Sequence, residues 1–172
     1  FKVEGEAPKS QGMGNDVKEG LVYISQNAVV LSAILMSALL GFFGIPLLQQ
    51  LPALARDVLR TVMDTEPIIA ARTSSLYTAQ GVGAVISAFM VAYLSSANKN
   101  KMLLWGQIVF IFPVIVMGIN TNMNLALVLL AFIGWGTVTQ LVTMNTMIQM
   151  EVPNDLRGRV FSIYFWALQG VA

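Results

Sequence analysis

The chain contains no cysteine and no histidine. Disulfides, thiolate chemistry, histidine-ligated metals or haem, and any Ser–His or Cys–His catalytic pair are therefore excluded within its 172 residues. Charge is scarce too. Asp, Glu, Lys and Arg make up 11% of the residues, against roughly 25% in soluble domains. The net charge is +1, so no basic surface for nucleic acid is implied. Nothing in the residue set calls for a cofactor or a metal.

The scarcity is uneven. From residue 102 to residue 150 there is no Asp, Glu, Lys or Arg. As one helix that run would extend ~70 Å, more than twice the ~30 Å of a bilayer core. It must fold back. Its only polar cluster near the middle is Asn120-Thr121-Asn122-Met123-Asn124, and Asn-rich stretches favour turns. The run reads as two membrane spans joined by a tight loop. With 56% hydrophobic residues and a mean hydropathy of +0.69, the chain reads as an all-α integral membrane protein.

Residues 1–19 are polar and read as a flexible cytoplasmic loop, apart from a transmembrane domain over 20–172. Within that domain the expected spans are about 28–50, 74–95, 102–119 and 124–149, with a shorter apolar stretch at 160–172. Trp105 suits a membrane–water interface. Between the first two spans, residues 52–72 read as a short amphipathic helix opened by Pro52 and ended by Pro67. It either lies on the membrane surface or is an ordinary solvated connector. Residues 95–101 form a polar loop, and residues 151–159 a hydrophilic one. The stretch 160–172 is too short to cross, and a helix stopping there leaves carbonyls unsatisfied in lipid. The chain is thus expected to be a piece of a longer protein, with four complete spans and the start of a fifth. Lys9, Lys18, Lys99, Lys101, Arg157 and Arg159 fall on one side, and Arg56, Arg60 and Arg72 on the other. That bias places the first side in the cytoplasm.

The second span carries two stripes of small residues: Ala79, Gly83 and Ser87, and Ala84, Ala88 and Ala92. Small residues four apart let helices approach closely in a bilayer. The fourth span is the most polar. Gly136, Gln140, Thr143 and Met147 share one helical face, and Asn145 and Gln149 another. Two readings stand for the Gln140 face: interhelical hydrogen bonding, or the lining of a translocation pathway with Met side chains as adaptable apolar surface. No span holds an ionisable residue, so a membrane-embedded enzyme lacks its chemistry and a proton relay lies elsewhere.

The segment Val152-Pro153-Asn154-Asp155-Leu156-Arg157-Gly158-Arg159-Val160 resembles a cytoplasmic motif of the major facilitator superfamily. The branch is that of the enterobactin exporter and the macrolide efflux proteins. Pro52-Ala53-Leu54-Ala55-Arg56-Asp57-Val58-Leu59 and Gly81-Val82-Gly83-Ala84 are similar to the end of that branch's seventh span and to its eighth. The resemblance implies a partial C-terminal helical bundle, comprising the central loop, spans seven to ten and the start of eleven. It also implies a secondary transporter, with proton-coupled export of small amphipathic compounds across the inner (cytoplasmic) membrane by alternating access. The partners implied are a small-molecule substrate, the lipid bilayer and an N-terminal half of the same transporter. Within the motif, Pro153, Asp155, Arg157, Gly158 and Arg159 form either a topology anchor or a gating loop. Asp155 is free to pair with either arginine, and Gly158 is positioned to permit a bend.

Overall fold

A computed structural model describes residues 13–59, 65–94 and 98–170. Seven α-helices follow one another, with no strand among the described residues: α1 (Met13–Gln26), α2 (Ala28–Gln49), the short α3 (Leu51–Ala53), α4 (Glu66–Tyr93), α5 (Lys99–Met117), α6 (Met123–Glu151) and α7 (Asn154–Gln169). A π-helical turn, Leu54–Val58, extends α3, closed by a 3.0 Å bond from the Leu59 N–H to the Leu54 carbonyl. Four helices, α2, α4, α5 and α6, are long and apolar enough to cross a membrane. Their outward faces are apolar. Phe89 is 75% exposed, and Phe112 and Ile115 are 66% exposed, an arrangement costly in water and natural among acyl chains. The protein is an all-α membrane bundle.

Asparagines start α2, α5 and α6. The Asn27 side chain accepts from the Val29 and Val30 N–H groups at 3.0 and 3.1 Å, and Asn98 does the same for Asn100 and Lys101. At the fold-back inside the uncharged run, the Asn120 Oδ1 accepts from the Asn122 N–H at 3.0 Å and its amide donates to the Asn122 carbonyl at 2.9 Å. Asn122 then caps α6 through the Asn124 and Leu125 N–H groups. Each side-chain oxygen satisfies donors that a helix start leaves open. That is why four polar residues around Met123 suffice to reverse the chain.

Helix α6 is the central element. It is packed by α4 on one side and α5 on another, with α2 also against it, while α7 lies on α2 and α1. Glycines set the spacing. A Cβ added at Gly83 would lie 1.8 Å from the Ala131 carbonyl oxygen, and one at Gly134 would lie 2.0 Å from that of Gln80. The α4 and α6 backbones therefore touch directly. At Gly41 of α2 a Cβ would lie 2.1 Å from the Leu168 carbonyl oxygen of α7.

Several helix limits differ from the sequence expectations. Helix α4 begins at Glu66 rather than 74, and Pro67 opens it instead of ending the preceding helix. A first-turn proline needs no hydrogen-bond partner and its φ is already helical. The polar stretch after it is helical too, and Thr73, Ser74, Ser75 and Thr78 each satisfy their hydroxyls on the carbonyl four residues earlier. The expected connector over 52–72 is thus α3, the π turn and the first turns of α4, and Arg60 and Asp64 lie outside the described residues. The end of the expected loop 1–19 is helical, since α1 starts at Met13, whereas residues 1–12 lie outside the description. Residues 95–97 also lie outside it, and Lys99 and Lys101 already belong to α5. Backbone hydrogen bonding continues past the edge of a charge-free run, because a helix end in water tolerates charge.

Candidate functional site: the α6–α7 turn and a buried polar seam

The motif expected as a loop over 151–159 is mostly helix. Glu151 ends α6 and α7 begins at Asn154, which leaves Val152 and Pro153 as the whole connection. Val152 is extended, and Pro153 precedes the first turn of α7. Pro153 lacks an N–H to satisfy and cannot continue α6, so it forces the break. Asp155 sits exposed in that first turn, where its charge faces the positive end of the helix.

The two arginines bond elsewhere than to Asp155. Arg157 folds back and its Nη2 donates to the carbonyls of Gln149 at 3.0 Å and Val152 at 3.4 Å. A guanidinium on the last carbonyls of α6 satisfies acceptors and complements the negative helix end. Arg159 reaches across to α1 and its Nη1 donates to the Glu19 carboxylate. On the same helix the Tyr23 hydroxyl donates to the Glu151 carbonyl at 2.8 Å. Gly20 lies between these contacts, and a Cβ there would meet Ile163 at 3.0 Å and Arg159 at 3.4 Å. Thus α1 is strapped over the turn by an ion pair, a hydrogen bond and a close approach among the described residues. Gly158 makes no bend. It lies inside continuous helix, and a Cβ there would meet nothing within 4 Å.

Gly136, Gln140, Thr143 and Met147 are all buried. Gly136 lies under α5, where a Cβ would come within 2.9 Å of the Phe110 Cβ. The Gln140 amide nitrogen donates to the carbonyls of Gly106 at 3.3 Å and Gly136 at 3.2 Å. The first bond joins α6 to α5 and the second stays within α6, and the face is closed in the conformation described. It is not satisfied, however. The Gln140 Oε1, the Thr143 Oγ1 and both amide atoms of the buried Gln107 have no partner among the described residues. Gln107 belongs to α5, Gln140 and Thr143 to α6. A buried polar atom without a partner costs about 1–3 kcal/mol, so these side chains of α5 and α6 are buried at a cost.

At the α4–α6 boundary the polar groups are paired. Ser87 is buried and its hydroxyl is 2.7 Å from that of Thr139, one turn from the Gly83 contact. Ala79 packs on the core, Ala84 lies beside Gly134, and Ala88 is exposed. Asn145 is half-buried and Gln149 exposed.

The sequence matches the family described as "Transmembrane secretion effector", of the major facilitator type, over residues 2–172. The chain belongs to that family. It is therefore a multi-pass membrane protein of a transporter family, and the four crossing helices and the motif at the α6–α7 turn are to be read in that setting. No curated protein and no solved structure matches it.

Four side chains in this secretion-effector chain escape a reading of the sequence. Glu19 closes what looks like a polar tail and Tyr23 lies just beyond it, although the spacing of Gly20, Tyr23 and Ile24 would place them on one helical face. Gln107 is the lone amide between residues 102 and 119, a signal that was available. Arg72 belongs to α4, not to a loop, and its guanidinium donates to the Leu59 carbonyl at the end of the π turn. Close by, Arg56 and Glu66 form an exposed 2.8 Å ion pair.

Proposed function

We propose that the chain is part of the C-terminal half of a secondary active exporter. It would expel small amphipathic compounds from the cytoplasm, driven by the proton gradient, by rocking against an N-terminal half around a central site. The motif's likeness to the enterobactin-exporter and macrolide-efflux branch supports this substrate class. The family's description as a secretion effector supports the outward direction. The Lys and Arg bias supports an orientation with α1 and the α6–α7 turn in the cytoplasm, in the inner membrane. No ionisable residue lies between 102 and 150, so the acid that carries the proton belongs to another part of the transporter.

One observation carries the mechanism: α1 and the α6–α7 turn are joined by Arg159 to Glu19 and by Tyr23 to the end of α6. An exposed ion pair is weak, of order 1 kcal/mol or less. Such a contact is suited to being made in one transport state and broken in the other, while Arg157 keeps α6 and α7 moving as one body. Gln107, Gln140 and Thr143 then supply the polar side of a pathway that opens when α5 and α6 separate.

The test is uncoupler-sensitive efflux of dyes, macrolides and siderophores from cells carrying the full-length protein. The double variant Arg157→Ala/Arg159→Ala is expected to lose coupled flux at unchanged membrane abundance and helicity. Unchanged flux in that variant would remove the gating role. Absence of coupled flux in the wild type for every compound would favour a non-transporting scaffold or sensor of the same fold, or an uptake transporter.

A further inference from the structure

Helices α4 and α5 are neighbours in sequence but hardly meet, because each packs on α6 instead. Between them runs an open cleft floored by α6. Two cavities lie along it, of about 370 and 470 Å³, and share Val109 and Trp135. The first opens at the start of α5 beside Asn98 and Lys101. The second continues to Gly83 and Val128. Lys101 to Val109 is ~12 Å of rise along α5, so the cleft crosses most of one leaflet, about half of the ~30 Å core.

The chemistry of the cleft is one-sided. The hydroxyl of Thr139 in its floor is already bonded to Ser87. Exposed Ile86 and Phe132 wall the inner part. Lys101 is the one charged residue among those lining the two cavities, and no Asp or Glu occurs from residue 67 to residue 150. Asn98 already occupies the Asn100 and Lys101 N–H groups, so the ammonium, not the helix end, is the available anion contact. A cation at the mouth of an apolar trench within membrane-crossing helices fits an amphiphile with a negative head group. A lysine at a helix end also reaches the interface readily.

We propose that the α4–α5 cleft binds an anionic phospholipid of the surrounding bilayer, its phosphate at Lys101 and one acyl chain along Val109 and Trp135. This site is independent of whether, and what, the protein transports.

The test uses the full-length protein in nanodiscs doped with phosphatidylglycerol or phosphatidylcholine brominated on the acyl chains. Trp135 emission is taken as the difference between wild type and Trp135→Phe. Brominated phosphatidylglycerol is expected to quench Trp135 half-maximally at a ~5-fold lower mole fraction than the choline lipid, the equivalent of ~1 kcal/mol for one lysine at an anionic head group. Lys101→Gln is expected to abolish that preference and leave quenching by the choline lipid. Absence of quenching by either lipid would mean that protein covers the cleft. Equal quenching by both in the wild type would mean bulk lipid only. Either result overturns the proposal. Should Trp135→Phe fail to fold, Trp105 at the mouth, read through Trp105→Phe, decides between the same outcomes.

Discussion

Two glycines of α4, only two residues apart, should respond to the same substitution with opposite signs. At Gly83 an added Cβ would sit 1.8 Å from the carbonyl oxygen of Ala131 and 2.6 Å from its carbon. Both are backbone atoms of α6 and cannot rotate away. Restoring ordinary contact would part the helices by roughly 1.5 Å. Overpacking of this kind costs about 1–3 kcal/mol. Separation would also stretch the 2.7 Å Ser87–Thr139 contact one turn along, worth ~0.6 kcal/mol on the average for interhelical bonds in a membrane. Against this stands a gain of about 0.5–1 kcal/mol from replacing a helical glycine by alanine. The net for Gly83→Ala is a loss of ~2 kcal/mol. At Gly81 a Cβ meets nothing within 4 Å, so Gly81→Ala keeps only the helical gain.

The assay is reversible unfolding of the full-length protein in mixed micelles, followed by helicity. Gly134→Ala serves as the reciprocal variant, since its Cβ would lie 2.0 Å from the Gln80 carbonyl oxygen. The double variant Gly83→Ala/Gly134→Ala should cost clearly less than the sum, because either change alone already parts the pair. If Gly83→Ala proves no more damaging than Gly81→Ala, α4 and α6 do not make backbone contact and the packing described is wrong.

Two further outcomes follow from unequal hydrogen bonding. Arg72→Ala removes the bond to the Leu59 carbonyl and should cost ~1–2 kcal/mol, with faster amide exchange at Leu59; unchanged exchange would mean that Arg72 does not hold the π turn. Gln107→Leu removes two buried atoms that have no partner and should raise stability by ~1 kcal/mol or more, while slowing flux if the α5–α6 seam opens during transport. A loss of stability would show that the amide is bonded.

The fold class is legible because a bilayer imposes a coarse rule. Backbone polar groups must be satisfied within a helix or a closed barrel, and a long charge-free run without the alternation of barrel strands reads as helix, with the Asn120–Asn122 pair as its reversal. Helix ends are less legible. Charge marks where the membrane stops, whereas hydrogen bonding decides where the helix stops. Glu66, Lys99 and Asn154 lie beyond the apolar limits and still belong to helices. Proline was ambiguous in the same way. Pro67 and Pro153 look alike in sequence, as breaks after a charged residue and a valine, and each turns out to stand at the start of a helix.

The candidate site was harder to read, for a reason of range. The Arg-Gly-Arg motif stands out by its charge, but its partners do not. Glu19 lies 140 residues from Arg159, and Tyr23 lies 128 residues from Glu151. No local periodicity connects them, and one exposed carboxylate in a polar tail looks like any other. The Asp155–Arg pairing expected from proximity in sequence loses to geometry. Once α7 starts at Asn154, Asp155 is held on the exposed side of its first turn, while Arg157 has the last carbonyls of α6 within reach. A guanidinium finds more there than one solvated carboxylate offers, because several helix-end acceptors are otherwise open and the local dipole is negative. Arg159, two residues on, projects from a different side of α7 and meets α1. The same two arginines thus do different things because the backbone between them is helix and not loop.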